Sequence, residues 1–157
     1  MKRLVLILLL IASPAWTISP GWIHIDRREL TLRYTEGDQA WIFPVCIGRK
    51  GTQDKATCTP AGEYRIIYKK KNPWYRNVGE DAEWVPPYNQ DKRNKYGTRI
   101  MGLDYRRTES SRRMAIHGTN EPELIPGYYS AMCIRLRNED VEFLYNKVEN
   151  GCRVIIE

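Results

Sequence analysis

Histidine is nearly missing from this sequence: His24 and His117 are the only two. Cysteine is sparse as well, and Cys46, Cys58, Cys133 and Cys152 form no C-x-x-C pair. Zinc sites are built from Cys and His clustered at short spacings, so no metal is expected here. No stretch recurs with a fixed period, which excludes a solenoid or a propeller. No apolar run approaches the roughly 20 residues that a membrane-spanning helix needs, so no stable membrane span is expected in the mature form. Charge of one sign is in slight excess only. The formal net charge is +6, of which Lys2 and Arg3 supply two. That is too weak for a nucleic-acid footprint, and no nucleic-acid motif is present. At 157 residues the chain has room for one domain with a real core.

The longest apolar run, Leu4 to Ala12, follows Lys2 and Arg3 and precedes Ser13-Pro14-Ala15. A basic start, a short apolar stretch and small residues make the pattern of a secretory signal peptide over residues 1–15. An uncleaved short anchor is the other reading of the same residues. Export places the mature protein in an oxidising compartment, where disulfides are permitted. Cys46 and Cys58 bracket a Gly-, Lys- and Thr-rich loop, so a bridge there would staple a hairpin; the sequence leaves that pairing open. Cys152 reads as a small, partly apolar packing residue rather than a partner for Cys133.

What is present is mostly strand-like. Ile23 and Ile25 alternate with polar neighbours, Asp26 to Glu29 turns the chain, and Leu30, Leu32 and Tyr34 alternate again. Glu36-Gly37-Asp38 turns once more, into the apolar run Ala40 to Ile47, so the chain begins with two antiparallel hairpins. His24 falls on a strand face, as a surface or packed histidine. After the turn Thr59-Pro60-Ala61-Gly62, a strand runs over Tyr64 to Tyr68. Lys69 to Tyr96 breaks the pattern with three prolines and the aromatics Trp74, Tyr75, Trp84, Tyr88 and Tyr96. A loop this long is a binding segment or lid, a stretch pinned to the body by its aromatic rings, or both at once. Strands resume at Gly97 to Leu103 and at Met114 to Ile116. Asn138 reads as a helix N-cap, with Glu139 and Asp140 in the first turn. Val141, Leu144, Tyr145 and Val148 then form one apolar helical face, and Arg153 to Ile156 closes the domain as a strand.

Two short stretches carry chemistry. Met114 to Ile116 delivers His117 to a strand end, and Ser130-Ala-Met-Cys-Ile-Arg135 follows after one loop. A thiol of pKa about 8.5 is mostly protonated at neutral pH, and an adjacent imidazole can accept that proton. Imidazole titrates near 6.5, about where it can also return a proton to a leaving amine. His117 and Cys133 are therefore candidates for base and nucleophile in acyl transfer. In papain-like peptidases the cysteine comes first along the chain; here the histidine does.

With these residues in order, the chain resembles the L,D-transpeptidase catalytic domain, also called the YkuD domain, over about residues 22–157. The resemblance rests on Phe43-Pro-Val-Cys-Ile-Gly48, Thr59-Pro-Ala-Gly62, His117-Gly-Thr119 and Ser130-Ala-Met-Cys-Ile-Arg-Leu136, with the tail from Asn138 to Gly151. It implies a mainly β fold, a β-sandwich of mixed sheets with one short C-terminal helix and a long aromatic-rich loop. It implies attack by Cys133 on the bond between a diamino acid and terminal D-Ala in a peptidoglycan tetrapeptide stem, with His117 as base and then acid. Backbone N–H groups of Ala131, Met132 and Cys133 would form the oxyanion hole. Ser130 and Arg135 would shape the site, Arg135 by holding the loop or a substrate carboxylate, and Gly118 and Thr119 would shape the turn after His117. No cofactor or metal is implied. Partners would be peptidoglycan stem peptides and, for some members, an envelope protein lysine, in the periplasm or cell envelope of a bacterium. With water as acceptor the same site is an L,D-carboxypeptidase. One departure is Met132, where the family usually has Gly. If that backbone needs φ > 0, Met132 is strained by about 1–3 kcal/mol, and a non-catalytic peptidoglycan-binding protein becomes the alternative.

Overall fold

The computed structural model describes residues 20–49, 58–76, 82–106 and 113–157. The proposed signal peptide and most of the loop between Cys46 and Cys58 lie outside these residues. The alternation at the start folds as expected. Strands β1 (Trp22–Asp26), β2 (Thr31–Glu36) and β3 (Gln39–Pro44) form an antiparallel meander, and Ile23, Ile25, Leu32 and Tyr34 point into the core. Asp26 makes the first turn by accepting the N–H groups of Arg28 (2.8 Å) and Glu29 (3.0 Å) with one carboxylate oxygen, and these bonds hold its carboxyl below the usual range.

After one residue at Val45 the chain enters β4 (Cys46–Gly48), and the remaining strands follow. They are β5 (Gly62–Lys71), the short pair β6 (Tyr75–Arg76) and β7 (Trp84–Val85), then β8 (Arg99–Arg106) and β9 (Arg113–His117). A 3-10 turn at Pro122–Leu124 leads into β10 (Gly127–Ser130), β11 (Ile134–Arg135), helix α1 (Asn138–Lys147) and β12 (Arg153–Ile156). Ten strands form one curled, mixed sheet in the order β10-β4-β11-β9-β8-β5-β12-β1-β2-β3. The pairs β1–β12, β10–β4 and β11–β9 are parallel and the others antiparallel. The expected mixed β architecture with one short helix is therefore what the chain adopts.

Strand β5 joins the two layers, because its first half pairs with β12 and its second half with β8. The corner is at Ile66, whose N–H donates to Cys152 O (3.0 Å) and whose carbonyl accepts Gly151 N–H (2.7 Å). β5 runs on to Lys71, past the predicted end at Tyr68, because its second half has β8 as a ladder partner. The helix packs Val141 and Leu144 into the core between the layers. Lys69 reaches across to the carbonyls of Tyr145 and Val148 at its C-terminal end, where the helix dipole favours a cation. The aromatic segment is braced internally: buried Asn94 donates to Pro73 O (2.8 Å) and Pro86 O (2.7 Å), and its Oδ1 accepts Tyr96 N–H (2.9 Å).

No disulfide joins any of the four cysteines. Cys46 is buried on β4 with its sulfur against the Tyr129 N–H (3.4 Å), while Cys58 faces Thr59 O, so the hairpin staple left open by the sequence is absent. His24 is a strand-face histidine paired with Glu157 (2.8 Å).

Because Ile66 is fully buried at the corner, Ile66→Ala is expected to cost about 2–5 kcal/mol. Urea unfolding should show a lowered midpoint with an unchanged slope.

Candidate active site

The site begins with a ladder register. β11 lies parallel to β9, with Ile134 opposite Ile116 and Arg135 opposite His117. The Leu136 N–H donates to His117 O (2.9 Å), and Gly118 N–H donates to Arg99 O (3.1 Å), so the histidine backbone is fixed on both sides. Register partners share a face of a sheet, so the Arg135 side chain stands beside the imidazole. Cys133, half-buried, precedes β11 by one residue and so lies one strand over and about two residues along from His117.

His117 is buried. Its Nδ1 lies 2.6 Å from Gly118 O, and a carbonyl can only accept, so Nδ1 carries the hydrogen. The lone pair is then on Nε2. Burial, and next the positive charge of Arg135, push the imidazole pKa down to about 4, against a small upward pull from the Gly118 carbonyl. The imidazole is thus neutral at physiological pH and ready to accept a proton. Tyr96 stands edge-on to it, ring centroids 5.2 Å apart, and Tyr75 stands edge-on to Tyr96 at 5.0 Å.

Arg135 pairs with Glu121 (3.0 Å) in the loop after His117. Glu121 is itself set by the buried Thr119, whose hydroxyl accepts the Glu121 N–H (3.0 Å). Ser130 ends β10, opposite Gly48, and is buried. Ala131 is exposed, whereas Met132 is buried with the core cluster. The strain expected of Met132 under a positive φ does not arise. Among described non-glycine residues, positive φ occurs at Leu30 and Asn72, and Met132 is not one of them. The position needs a side chain that fits the core, and methionine supplies it.

Two positions acquire roles that their sequence patterns did not signal. Thr59, fully buried, accepts the Gly48 N–H (2.8 Å) and donates to Met132 O (2.8 Å), so it fixes the carbonyl immediately before Cys133. Asn138 is not the N-cap; Arg137 is, and it makes no side-chain cap bond. Instead Asn138 Oδ1 accepts the N–H groups of Thr98 and Thr119 (both 3.2 Å), and its Nδ2 donates to Thr119 O (2.9 Å). A Cβ at Gly118 would stand 2.2 Å from that Oδ1, so the glycine after the histidine is required by close approach. The missed signal was the asparagine beside His-Gly-Thr in space, which no spacing along the chain reveals.

Two of the other thiols, Cys46 and Cys152, are poor nucleophile candidates. Cys46 is buried, and burial pushes Cys152 up to about 11. Cys152 lines a cavity of about 640 Å³ that shares no residue with β8, β9 or β11. Among the described residues no cluster of three or more His, Cys, Asp or Glu is arranged to hold a metal.

The fold is that of the L,D-transpeptidases of known structure. The Enterococcus faecium L,D-transpeptidase, in a mutant form, aligns with a TM-score of 0.65 at 16% identity, over 89% of this chain and 50% of that one. L,D-transpeptidase 3 from Mycobacterium tuberculosis, in complex with a faropenem-derived adduct, gives 0.64 at 16% identity, over 87% and 60%. The family described as the L,D-transpeptidase catalytic domain matches residues 20–156, and the chain belongs to it. A putative L,D-transpeptidase of Bacillus subtilis, YqjB, is 30% identical over 92% of this chain and 78% of its own length. The probable L,D-transpeptidase YbiS of Escherichia coli is 33% identical over 90% of this chain, which spans 47% of that protein.

Asn138→Ala leaves two backbone N–H groups without their acceptor and is expected to cost about 2 kcal/mol, read by urea unfolding. A pH series gives a second test. The unfolded imidazole takes up a proton below its ordinary value of 6.5, which the folded one refuses until about 4. Stability due to His117 is therefore complete above pH 6.5 and falls between about 6.5 and about 4, by up to about 3 kcal/mol. His117→Gln should flatten that part of the stability profile.

Proposed function

We propose that this chain is a peptidoglycan L,D-transpeptidase that works through a Cys133 acyl-enzyme. The observation that carries the reading is the neutral, buried His117, its Nδ1–H committed to Gly118 O, one strand from Cys133. With Nδ1 committed, Nε2 is the atom that takes the thiol proton as sulfur attacks the carbonyl between the diamino acid and terminal D-Ala. The carbon–sulfur bond forms and a tetrahedral oxyanion develops, which backbone N–H groups of Ala131 to Cys133 stabilise. The imidazolium then protonates the D-Ala nitrogen, the peptide bond breaks, and a thioester remains.

An acceptor amine attacks the thioester next. It loses its proton to Nε2, and the thiolate leaves and is reprotonated from the imidazolium. A low imidazole pKa suits the return steps, since His117 releases its proton readily, and Arg135 contributes to that value from its anchored position beside the ring. Ser130 and Thr119 act by fixing the loops on either side. The acceptor is a second stem peptide or an envelope protein lysine, with water as the competing acceptor. Residues 1–15 would export the protein to the periplasm or cell envelope, where this chemistry serves wall biogenesis and cell shape.

The test is incubation of the reduced mature protein with a disaccharide-tetrapeptide, with products read by mass spectrometry. Cross-linked dimer supports transpeptidation, loss of D-Ala alone supports hydrolysis, and unchanged substrate from a folded protein overturns the enzyme reading. Cys133→Ala should lose all turnover while its circular dichroism spectrum and melting temperature stay those of the parent.

A further inference from the structure

The face of the sheet that carries His117 continues past it in a straight cross-strand row. Arg135 lies opposite His117, His117 opposite Ile100 of β8, and Ile100 opposite Lys70 of β5. In the next row Ala115 lies opposite Gly102, and Gly102 opposite Tyr68. A Cβ at Gly102 would fall 1.9 Å from the Tyr68 ring, so the missing side chain is what lets that ring lie down on the sheet. The result is a pocket of about 200 Å³ lined by Tyr68, Lys70, Pro73, Trp74, Tyr96 and Ile100. Tyr96 is its boundary with the histidine, since the same ring packs on His117.

The chemistry of the pocket is one-sided. Lys70 is the sole charged residue in the lining, and no acid accompanies it. Other lysines nearby are committed: Lys69 to two helix carbonyls, Lys71 over the Tyr145 ring, Lys92 over Tyr88. Lys70 makes no ion pair with any described residue. Trp74 is left 55% exposed on the rim, a large apolar surface to leave in water. A cation and three aromatic rings suit a group with an apolar stem that ends in both a carboxylate and an ammonium. The carboxylate meets Lys70, and the ammonium meets the ring faces.

Resting on the proposed L,D-transpeptidase reading, we propose that this pocket binds the distal, zwitterionic end of the donor's diamino acid, with Lys70 selecting a free carboxylate there. The reach is right. Two strand spacings put the Lys70 Cα about 10 Å from that of His117, a span that a diaminopimelate side chain and the lysine stem cover together. Lys70 is thus a specificity-determining residue, favouring donors with an unmodified distal carboxylate over those with the corresponding amide.

The experiment measures binding apart from turnover, using Cys133→Ala protein titrated calorimetrically with two tetrapeptides. One carries diaminopimelate with its free distal carboxylate and the other its amide. The acid is expected to bind about fivefold more tightly, the scale of an exposed ion pair. In Cys133→Ala/Lys70→Gln the ratio should fall to about one, and Lys70→Arg in the same background should keep it. Equal binding of acid and amide, a ratio unmoved by Lys70→Gln, or no binding of either peptide overturns the proposal. Turnover by the parent protein, followed in parallel, reports separately on the enzyme reading: turnover with a ratio of one removes the pocket's role alone. A preserved ratio without turnover removes the enzyme reading and leaves the pocket as a recognition site.

Discussion

The pairing of β11 with β9 is the contact on which the active site depends. β11 has only two ladder residues, yet it sits between β9 and β4, with Arg135 opposite both His117 and Cys46. This short splice fixes where the chain leaving Cys133 goes, and hence which side chains converge. Thr59 completes the hold from the other direction by tying the Met132 carbonyl to the Gly48 backbone. The nucleophile candidate is thus positioned by main-chain bonds on one side and a buried hydroxyl on the other. In the proposed reaction such an arrangement would need no rearrangement as charge develops.

The electrostatics of the site follow from the same placement. A buried histidine beside an arginine stays neutral, and the arginine is kept near it by Glu121, which Thr119 orients. His117, Gly118, Thr119 and Glu121 therefore act together around the imidazole. They are a strut whose geometry sets a proton affinity. Asn138 belongs to this strut although it opens the helix, because its amide satisfies backbone groups at Thr98 and Thr119 together.

Much of this was legible in the sequence wherever one face of an element meets the core. Period-two alternation located β1 and β2, the 3.6 period located α1, and Met114 to Ile116 announced β9. The order of His117, Cys133 and their flanking motifs pointed to the family. What failed was information carried by distant partners. Asn138 was read as a cap because asparagine before an acidic turn usually is one, while its true partners lie 19 and 40 residues away. β5 outran its predicted end because its second half pairs with a strand that follows the aromatic segment. Met132 looked strained by comparison with glycine, but its backbone avoids positive φ and its side chain fills core space. The aromatic segment is tied to itself by three bonds of Asn94, partners that no spacing along the chain reveals.

The position of β12 has a consequence for how the molecule comes together. This strand lies in the interior of the sheet, parallel to β1 on one side and antiparallel to β5 on the other. Local meanders such as β1-β2-β3 close cheaply, but neither layer joins the other until residues 153–156 find partners near residue 23 and residue 64. Closing so long a loop is entropically slow, and β-rich topologies of this kind fold in about milliseconds to seconds. During that interval the flanks of β1 and β5 stand open as unpaired edges. The window for misassociation in this protein is therefore set by the arrival of a single four-residue strand.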